Sequence, residues 1–205
     1  MSGELEIFLI RHGQTAYNAE GRYMGSQDIP LNEYAGKVLR RADFSPDIVY
    51  VSPLCRARQT AEILFPDACQ TVIPDLREMC FGSFEGRNYK EMDHDADYRS
   101  WVDGFCMGKC PGGESRGEFT ARTCSAFEKL MESHLAAGRR QMVIVAHGGT
   151  QMAVLERFGV PRRDYYDWCA KNGEGYLLKT DLLQWKEERS LTFLKNCDFT
   201  AKEKL

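Results

Sequence analysis

Residues Met142–Ala146 (Met-Val-Ile-Val-Ala) restrict the fold more than any other stretch of the chain. They are apolar and β-prone without alternation, so a strand made of them has no face it can show to water. Such a strand belongs in a largely parallel sheet covered by helices on both sides. Glu6–Ile10 is a second strand of this kind. Ile48–Val51 and the β-branched Thr71–Ile73 are shorter ones. Tyr176–Thr180 and Leu191–Leu194 would close the sheet as a hairpin. Helical stretches lie between: Asn32 caps one reaching Ala42, Leu54–Phe65 ends at Pro66, and Glu114–Ala137 stops at Gly138. Gly148–Phe158 is the last of them. This alternation predicts an α/β fold, a three-layer α/β/α sandwich with a mostly parallel central sheet. Glu78–Gly113 is less regular and reads as a lid-like insertion, at about 78–113, in a single domain covering 1–205.

Composition excludes several classes of function. The 205 residues carry 27 Lys+Arg against 30 Asp+Glu, a formal charge of −3, which offers no basic stripe for nucleic acid. The early apolar run Ile7–Ile10 is far shorter than the ~20 residues of a membrane span, so neither a membrane nor a secretory route is expected. The chain therefore reads as cytoplasmic. The eight cysteines have no C-x-x-C spacing, which predicts free thiols in a reducing compartment and no zinc site.

Ligands of open α/β sheets bind beyond the carboxyl ends of the strands. After the first strand come Arg11, His12, Gly13, Gln14 and Thr15, with Asn18 beyond. After the second come Ser52, Pro53, Leu54, Cys55 and Arg56. After Met142–Ala146 come His147, Gly148 and Gly149, opening a helix. Topology alone thus gathers two of the four histidines and two arginines at one edge. Arginine forks and a helix N-terminus suit phosphate oxygens, while Asn18 and Gln14 add neutral donors. A neutral imidazole in such a pocket can attack phosphorus, and neighbouring arginines keep it neutral by disfavouring its cation. The other two histidines, His94 and His134, read as solvated surface residues. Taken singly, Arg56 is a solvated helix charge, His147 a capping residue and Asn18 a turn residue. Their conjunction is what points to a site.

Five ordered motifs cover most of the chain: Arg11 through Asn18, Ser52–Ala61, Leu76–Gly82 continuing to Glu85-Gly86, Pro111–Ser115, and Ala146–Gly149. With these the chain resembles the histidine phosphatase superfamily, in its phosphoglycerate mutase-like branch. The resemblance implies that His12 is the nucleophile forming a phosphohistidine. It implies that Arg11, Arg56 and His147 complete the phosphate pocket, with Asn18 at its margin, and that Glu78 protonates the leaving alkoxide. Gln14, Thr15 and Gly148 are further candidates for phosphate or substrate binding. Glu78 must then hold a proton near neutrality, which a desolvated position under the insertion would achieve. No cofactor and no metal are expected, because the arginines supply positive charge.

The expected activity is hydrolysis of a small phosphorylated metabolite. The branch of α-ribazole phosphatases and broad-specificity phosphatases is the nearest in pattern, which makes α-ribazole 5′-phosphate a candidate substrate. A cofactor-dependent phosphoglycerate mutase and a catalytically silent phospho-ligand binder remain open alternatives. The short spacer between Glu78 and Pro111 favours hydrolysis, and the presence of both His12 and Glu78 disfavours the silent binder. Met24, the short helix after Leu31-Asn32-Glu33, and Phe84 depart from the family's usual pattern. Asp164–Trp168 and Asn172–Tyr176 match no general family feature; they either shape the substrate mouth or pack, and packing is the favoured reading. The oligomeric state is not legible.

Overall fold

The computed structural model describes residues 3–201. Its strands are β1 (Leu5–Arg11), β2 (Ile48–Val51), β3 (Cys69–Val72), β4 (Gln141–Ala146), β5 (Gly159–Val160), β6 (Glu174–Thr180) and β7 (Leu191–Asp198). Its helices are α1 (Ala16–Ala19), α2 (Glu33–Val38), α3 (Cys55–Leu64), α4 (Ala96–Asp103), α5 (Arg116–Ala136), α6 (Gly148–Phe158) and α7 (Leu182–Glu188). The strands form one sheet in the order β3-β2-β4-β1-β6-β7-β5. Only β6 runs against its neighbours β1 and β7; the remaining pairings are parallel.

Both faces of the central strands are buried, as their unbroken apolar sequences require. Ile7, Leu9, Met142 and Ile144 enter a core built with α5 and α6. The alternate residues Phe8, Ile10, Val143 and Val145 enter a second core with Ala35 of α2 and with Ala57, Ala61 and Leu64 of α3. The period of two along a strand thus divides the molecule into three layers. No helix among the described residues is long and apolar enough to cross a membrane. All eight cysteines are free.

Some expected boundaries shift. The helix capped by Asn32 ends at Val38 rather than Ala42, because Leu39 turns to extended backbone. There Leu39 bridges to Thr200, and the Arg40 N–H donates to Phe199 O at 2.9 Å. The expected hairpin is interrupted: α7, which the sequence reading leaves unassigned, lies between β6 and β7. β3 spans Cys69–Val72 and is exposed along its length, so the cover on both faces stops short of this edge. His134 is not on the surface but 3% exposed, with its ring edge-on to Tyr50. It lies seven residues after Phe127 and three after Met131, on the buried stripe of α5. Burial lowers its pKa below the ordinary 6.5.

Candidate active site

Strand register brings the two sequence-distant histidines together. Arg11 pairs with Ala146, and the His12 N–H donates to Ala146 O at 3.0 Å. His12 and His147 are therefore the first residues beyond adjacent parallel strands, and their ring centroids lie 5.2 Å apart. β2 flanks β4 on the other side, so Ser52 reaches His147, with Oγ and Nε2 2.7 Å apart.

His12 is 2% exposed. Its Nδ1 lies 2.7 Å from Gly13 O. A carbonyl oxygen only accepts, so in this contact Nδ1 carries the proton, and the lone pair of the neutral ring is on Nε2. Burial, then Arg56, then Arg11 hold its pKa well below 6.5. Desolvation is thus the larger cause, and the arginines expected from the sequence to keep the ring neutral come second. His147 is fully buried and lowered in the same way, by burial first and Arg56 next.

Arg56 has no solvent exposure. The backbone fixes its guanidinium: Nη1 donates to Gln27 O at 2.8 Å and Nη2 to Gly25 O at 2.9 Å. That 25–27 loop is itself held by Glu85, whose carboxylate accepts from the Ser26 and Gln27 N–H groups at 2.7 and 3.0 Å. A Cβ on Gly25 would lie 2.0 Å from Met79 O, so only glycine lets the loop approach this closely. The Glu85 end of the third motif thus serves to position Arg56. Arg11 Nη1 donates to Ala170 O at 2.7 Å. Arg11 Nε, Arg56 Nε and His147 Nδ1 are buried and have no protein partner. Three such nitrogens among two cations and an imidazole match the donor set of an anion site.

Glu78 enters from the loop after β3. Its Oε1 accepts from the Met79 N–H at 2.9 Å, and its Oε2 from the Gly149 N–H at 3.1 Å. Burial nevertheless raises its pKa above 4.5, outweighing these bonds and the more distant Arg56 and Arg11. Arg122, which the sequence reading did not single out, braces this loop. It donates to Asp75 O and Arg77 O at 2.8 and 3.1 Å, and it pairs with Glu114 at 2.8 Å. Glu114 in turn accepts from the Cys80 N–H at 2.9 Å. The fourth motif therefore supports the segment that carries Glu78. The Arg122–Glu114 spacing of eight residues across a helix N-cap gave no signal in the sequence.

The other candidates have side-chain or backbone partners around this cluster. Thr15 is the N-cap of α1 and forms a capping box with Asn18. Asn18 Oδ1 also accepts from Asn172 Nδ2 at 3.2 Å, so its acceptor is turned to local structure. Gln14 Oε1 accepts from Asn32 Nδ2 at 2.9 Å, at the start of α2. Gln14 lines a separate cleft of about 550 Å³ with Arg11, Tyr34 and Lys171. Gly148 opens α6, where an added Cβ would meet Arg11 Cζ and Cys169 Sγ at 3.3 Å. The next N–H in this helix, on Gly149, is already engaged by Glu78. Asn172, read as a packing residue, donates to His12 O at 3.1 Å and so holds the back of His12. In the Asp164–Trp168 segment, Trp168 and Tyr165 are in the core, and Tyr165 together with the exposed Tyr166 lines a cavity shared with Glu78.

That cavity, about 380 Å³, abuts Glu78 and Gly149, and Met79, Phe81, Trp101 and Cys106 from the 78–113 stretch form one side of it. The arrangement can hold a tetrahedral anion against two arginines and two imidazoles. It also presents a lone pair from within and, at the mouth of an apolar recess, a carboxyl whose pKa burial raises.

Comparison with known proteins shows the family of the chain. The family model of the histidine phosphatase superfamily (branch 1) matches residues 7–190. The protein named "Putative phosphoserine phosphatase 2" of Hydrogenobacter thermophilus is 34% identical over 158 residues, 73% of this chain and 76% of its own length. The "Probable phosphoglycerate mutase GpmB" of Escherichia fergusonii is 36% identical over 154 residues, 70% of each chain. The crystal structure of the α-ribazole phosphatase from Shigella flexneri superimposes with a TM-score of 0.79 at 21% identity, over 98% of this chain and 100% of that one. At that identity the likeness concerns the fold.

Proposed function

The chain belongs to the histidine phosphatase superfamily, branch 1, and is an enzyme of the phosphatase class, and from that premise we propose that it is a metal-independent phosphomonoesterase working through a phosphohistidine on His12. The observation that carries this reading is the His12 ring. It is buried and neutral, its Nδ1 proton is committed to Gly13 O, and it sits beside Arg11, Arg56 and His147.

In this reading Nε2 of His12 attacks phosphorus in line with the ester oxygen. The P–N bond forms as the P–O bond to the alcohol breaks. Arg11, Arg56 and His147 stabilise charge on the three equatorial oxygens, which is most of what phosphoryl transfer asks of a protein. An alkoxide leaves poorly, so Glu78 gives it a proton as the bond breaks. Glu78, now ionised, takes a proton from water as the water oxygen attacks phosphohistidine. The P–N bond breaks, phosphate departs, and His12 and Glu78 return to their first states. The raised pKa of Glu78 supports its role as acid, and the two N–H bonds to its ionised form support its role as base. The 78–113 stretch acts as the cover over this step.

The substrate is a small phosphorylated metabolite. Likeness to the Shigella flexneri enzyme puts α-ribazole 5′-phosphate on the first panel, beside phosphoserine and 3-phosphoglycerate. The test is phosphate release with EDTA present, for the wild type and His12→Ala, together with rapid-quench capture of an acid-labile phosphoenzyme. Release that is abolished by His12→Ala, with phosphate trapped on His12, is the expected outcome. Activity that survives without His12 would overturn the proposal. Slow hydrolysis combined with phosphate exchange between phosphoglycerates, stimulated by a bisphosphorylated glycerate, would replace it with the mutase reading.

A further inference from the structure

The recess beside Glu78 has a character that the phosphate chemistry does not explain. Tyr23, Phe81, Trp101, Met152, Tyr165 and Tyr166 line it. Its aromatic rings interlock edge to face: Tyr23 with Phe81 at 5.2 Å, Tyr23 with Trp101 at 5.8 Å, and Tyr165 with Tyr166 at 5.1 Å. Several of the polar ends of these side chains are already spent. The Tyr23 hydroxyl lies 3.1 Å from that of Tyr98, and Trp101 Nε1 donates to Gly108 O at 3.1 Å. Arg116 is the cation of the recess. It is paired with Glu156 at 2.7 Å and lies flat on the Tyr165 ring, 3.6 Å from its centroid. Glu78 is the carboxyl of the recess, and burial raises its pKa above 4.5.

We propose that the alcohol half of the substrate is compact, uncharged and bears an aromatic ring, and that this recess selects it. The inference rests on the phosphatase reading and narrows it. A ring entering the recess finds aromatic edges and faces at stacking distance. A carboxylate entering it would meet Arg116 already paired with Glu156 and would give up water for a mostly apolar, aromatic lining. The volume of about 380 Å³ holds on the order of a dozen water-sized groups at about 30 Å³ each, enough for one ring or a fused pair. The recess therefore discriminates against the carboxylate-bearing alcohols of phosphoserine and phosphoglycerate.

The test compares esters whose alkoxides are similar leaving groups: benzyl phosphate, glycerol 1-phosphate and phosphoserine, with p-nitrophenyl phosphate as the check on phosphatase chemistry. The expected kcat/KM for benzyl phosphate exceeds that for either of the other alkyl esters by at least about 30-fold, the scale of burying one ring. Trp101→Ala should reduce this advantage to a few-fold. Because Trp101 is also a core residue, Met152→Lys provides a second variant: a cation on the recess wall should shift the benzyl-to-phosphoserine ratio toward phosphoserine by about tenfold or more. Hydrolysis of p-nitrophenyl phosphate that depends on His12, with benzyl phosphate no better than phosphoserine, overturns this inference and leaves the phosphatase reading standing. Loss of all ester hydrolysis in the wild type overturns both.

Discussion

The position of Glu78 depends on the absence of a side chain at residue 149. A Cβ built on Gly149 would lie 2.1 Å from Glu78 Oε1 and 3.0 Å from both Glu78 Cδ and Phe119 Cζ. Phe119 is fully buried and cannot retreat, so in Gly149→Ala the carboxylate must move. It withdraws by roughly 1 Å, a misplacement of the size that costs a catalytic group about 10²-fold. The 3.1 Å bond from the Gly149 N–H is strained or lost with it. The expected result for an alkyl phosphate is a fall in kcat/KM of about 10²-fold, or about 2.7 kcal/mol of transition-state stabilisation. Arg11, Arg56 and His147, which hold the phosphate in the proposed mechanism, are not among the atoms that this Cβ would meet. For p-nitrophenyl phosphate, whose phenolate leaves without a proton, the fall should be less than about fivefold. Steady-state kinetics on the two esters, with circular dichroism to confirm folding, decide the matter. Equal losses on both esters would refute the assignment of Glu78 as proton donor, and so would no loss on either.

Other outcomes follow from the same geometry. The pH profile of kcat/KM for alkyl esters should fall on the alkaline side as Glu78 loses its proton, above a value raised from 4.5, and on the acid side only below 6.5, where His12 charges; Glu78→Gln should abolish the alkaline limb. Arg56→Lys cannot reproduce the fork onto Gly25 O and Gln27 O, and should cost about 10²- to 10³-fold in kcat/KM in the same phosphate-release assay. Ser52→Ala frees the His147 ring from its 2.7 Å partner and should lower kcat about tenfold, with Ser52→Thr restoring most of it. His134→Leu should leave activity intact and flatten the acid-side loss of stability. Because the folded protein lowers the pKa of His134, its neutral form contributes stability above 6.5 that is lost as pH falls through and below that value. Urea unfolding of the two proteins at pH 7.5 and 5.5 measures this difference.

The sheet was legible because its central strands are apolar throughout, and that pattern has few structural solutions. The gathering of His12 and His147 at one sheet edge was readable, since each directly follows a buried strand; that the two strands are neighbours in matched register is a finding of the structure. Glu78 was reachable only through resemblance: a carboxylate in a loop has no periodicity, and its environment comes from Phe119 and Gly149, far along the chain. The braces were not legible at all. Glu85 acts on Arg56 through two backbone carbonyls of the 25–27 loop, and Arg122 acts on the 75–78 carbonyls. Bonds that end on the main chain are blind to the identity of the residue they hold. His134 was misread because its neighbours Glu132 and Ser133 are polar, while the helical stripe that buries it runs through residues three and seven positions away. Gln14 and Thr15 were drawn toward the site by adjacency to His12, whereas their side chains secure the starts of α2 and α1.

The bond from His12 Nδ1 to Gly13 O has a bearing on inheritance. Every amino acid contributes a main-chain carbonyl, so no codon change at position 13 removes this acceptor. Substitutions in the aromatic recess can alter which alcohol is accepted, and changes near Glu78 can alter how well it departs. The choice of the ring nitrogen that keeps its lone pair is encoded in the path of the backbone. Side chains of the recess can therefore change without touching the acceptor that orients the imidazole, whereas a Cβ at position 13, 2.7 Å from Leu39 Cδ1, would press on the backbone that carries it.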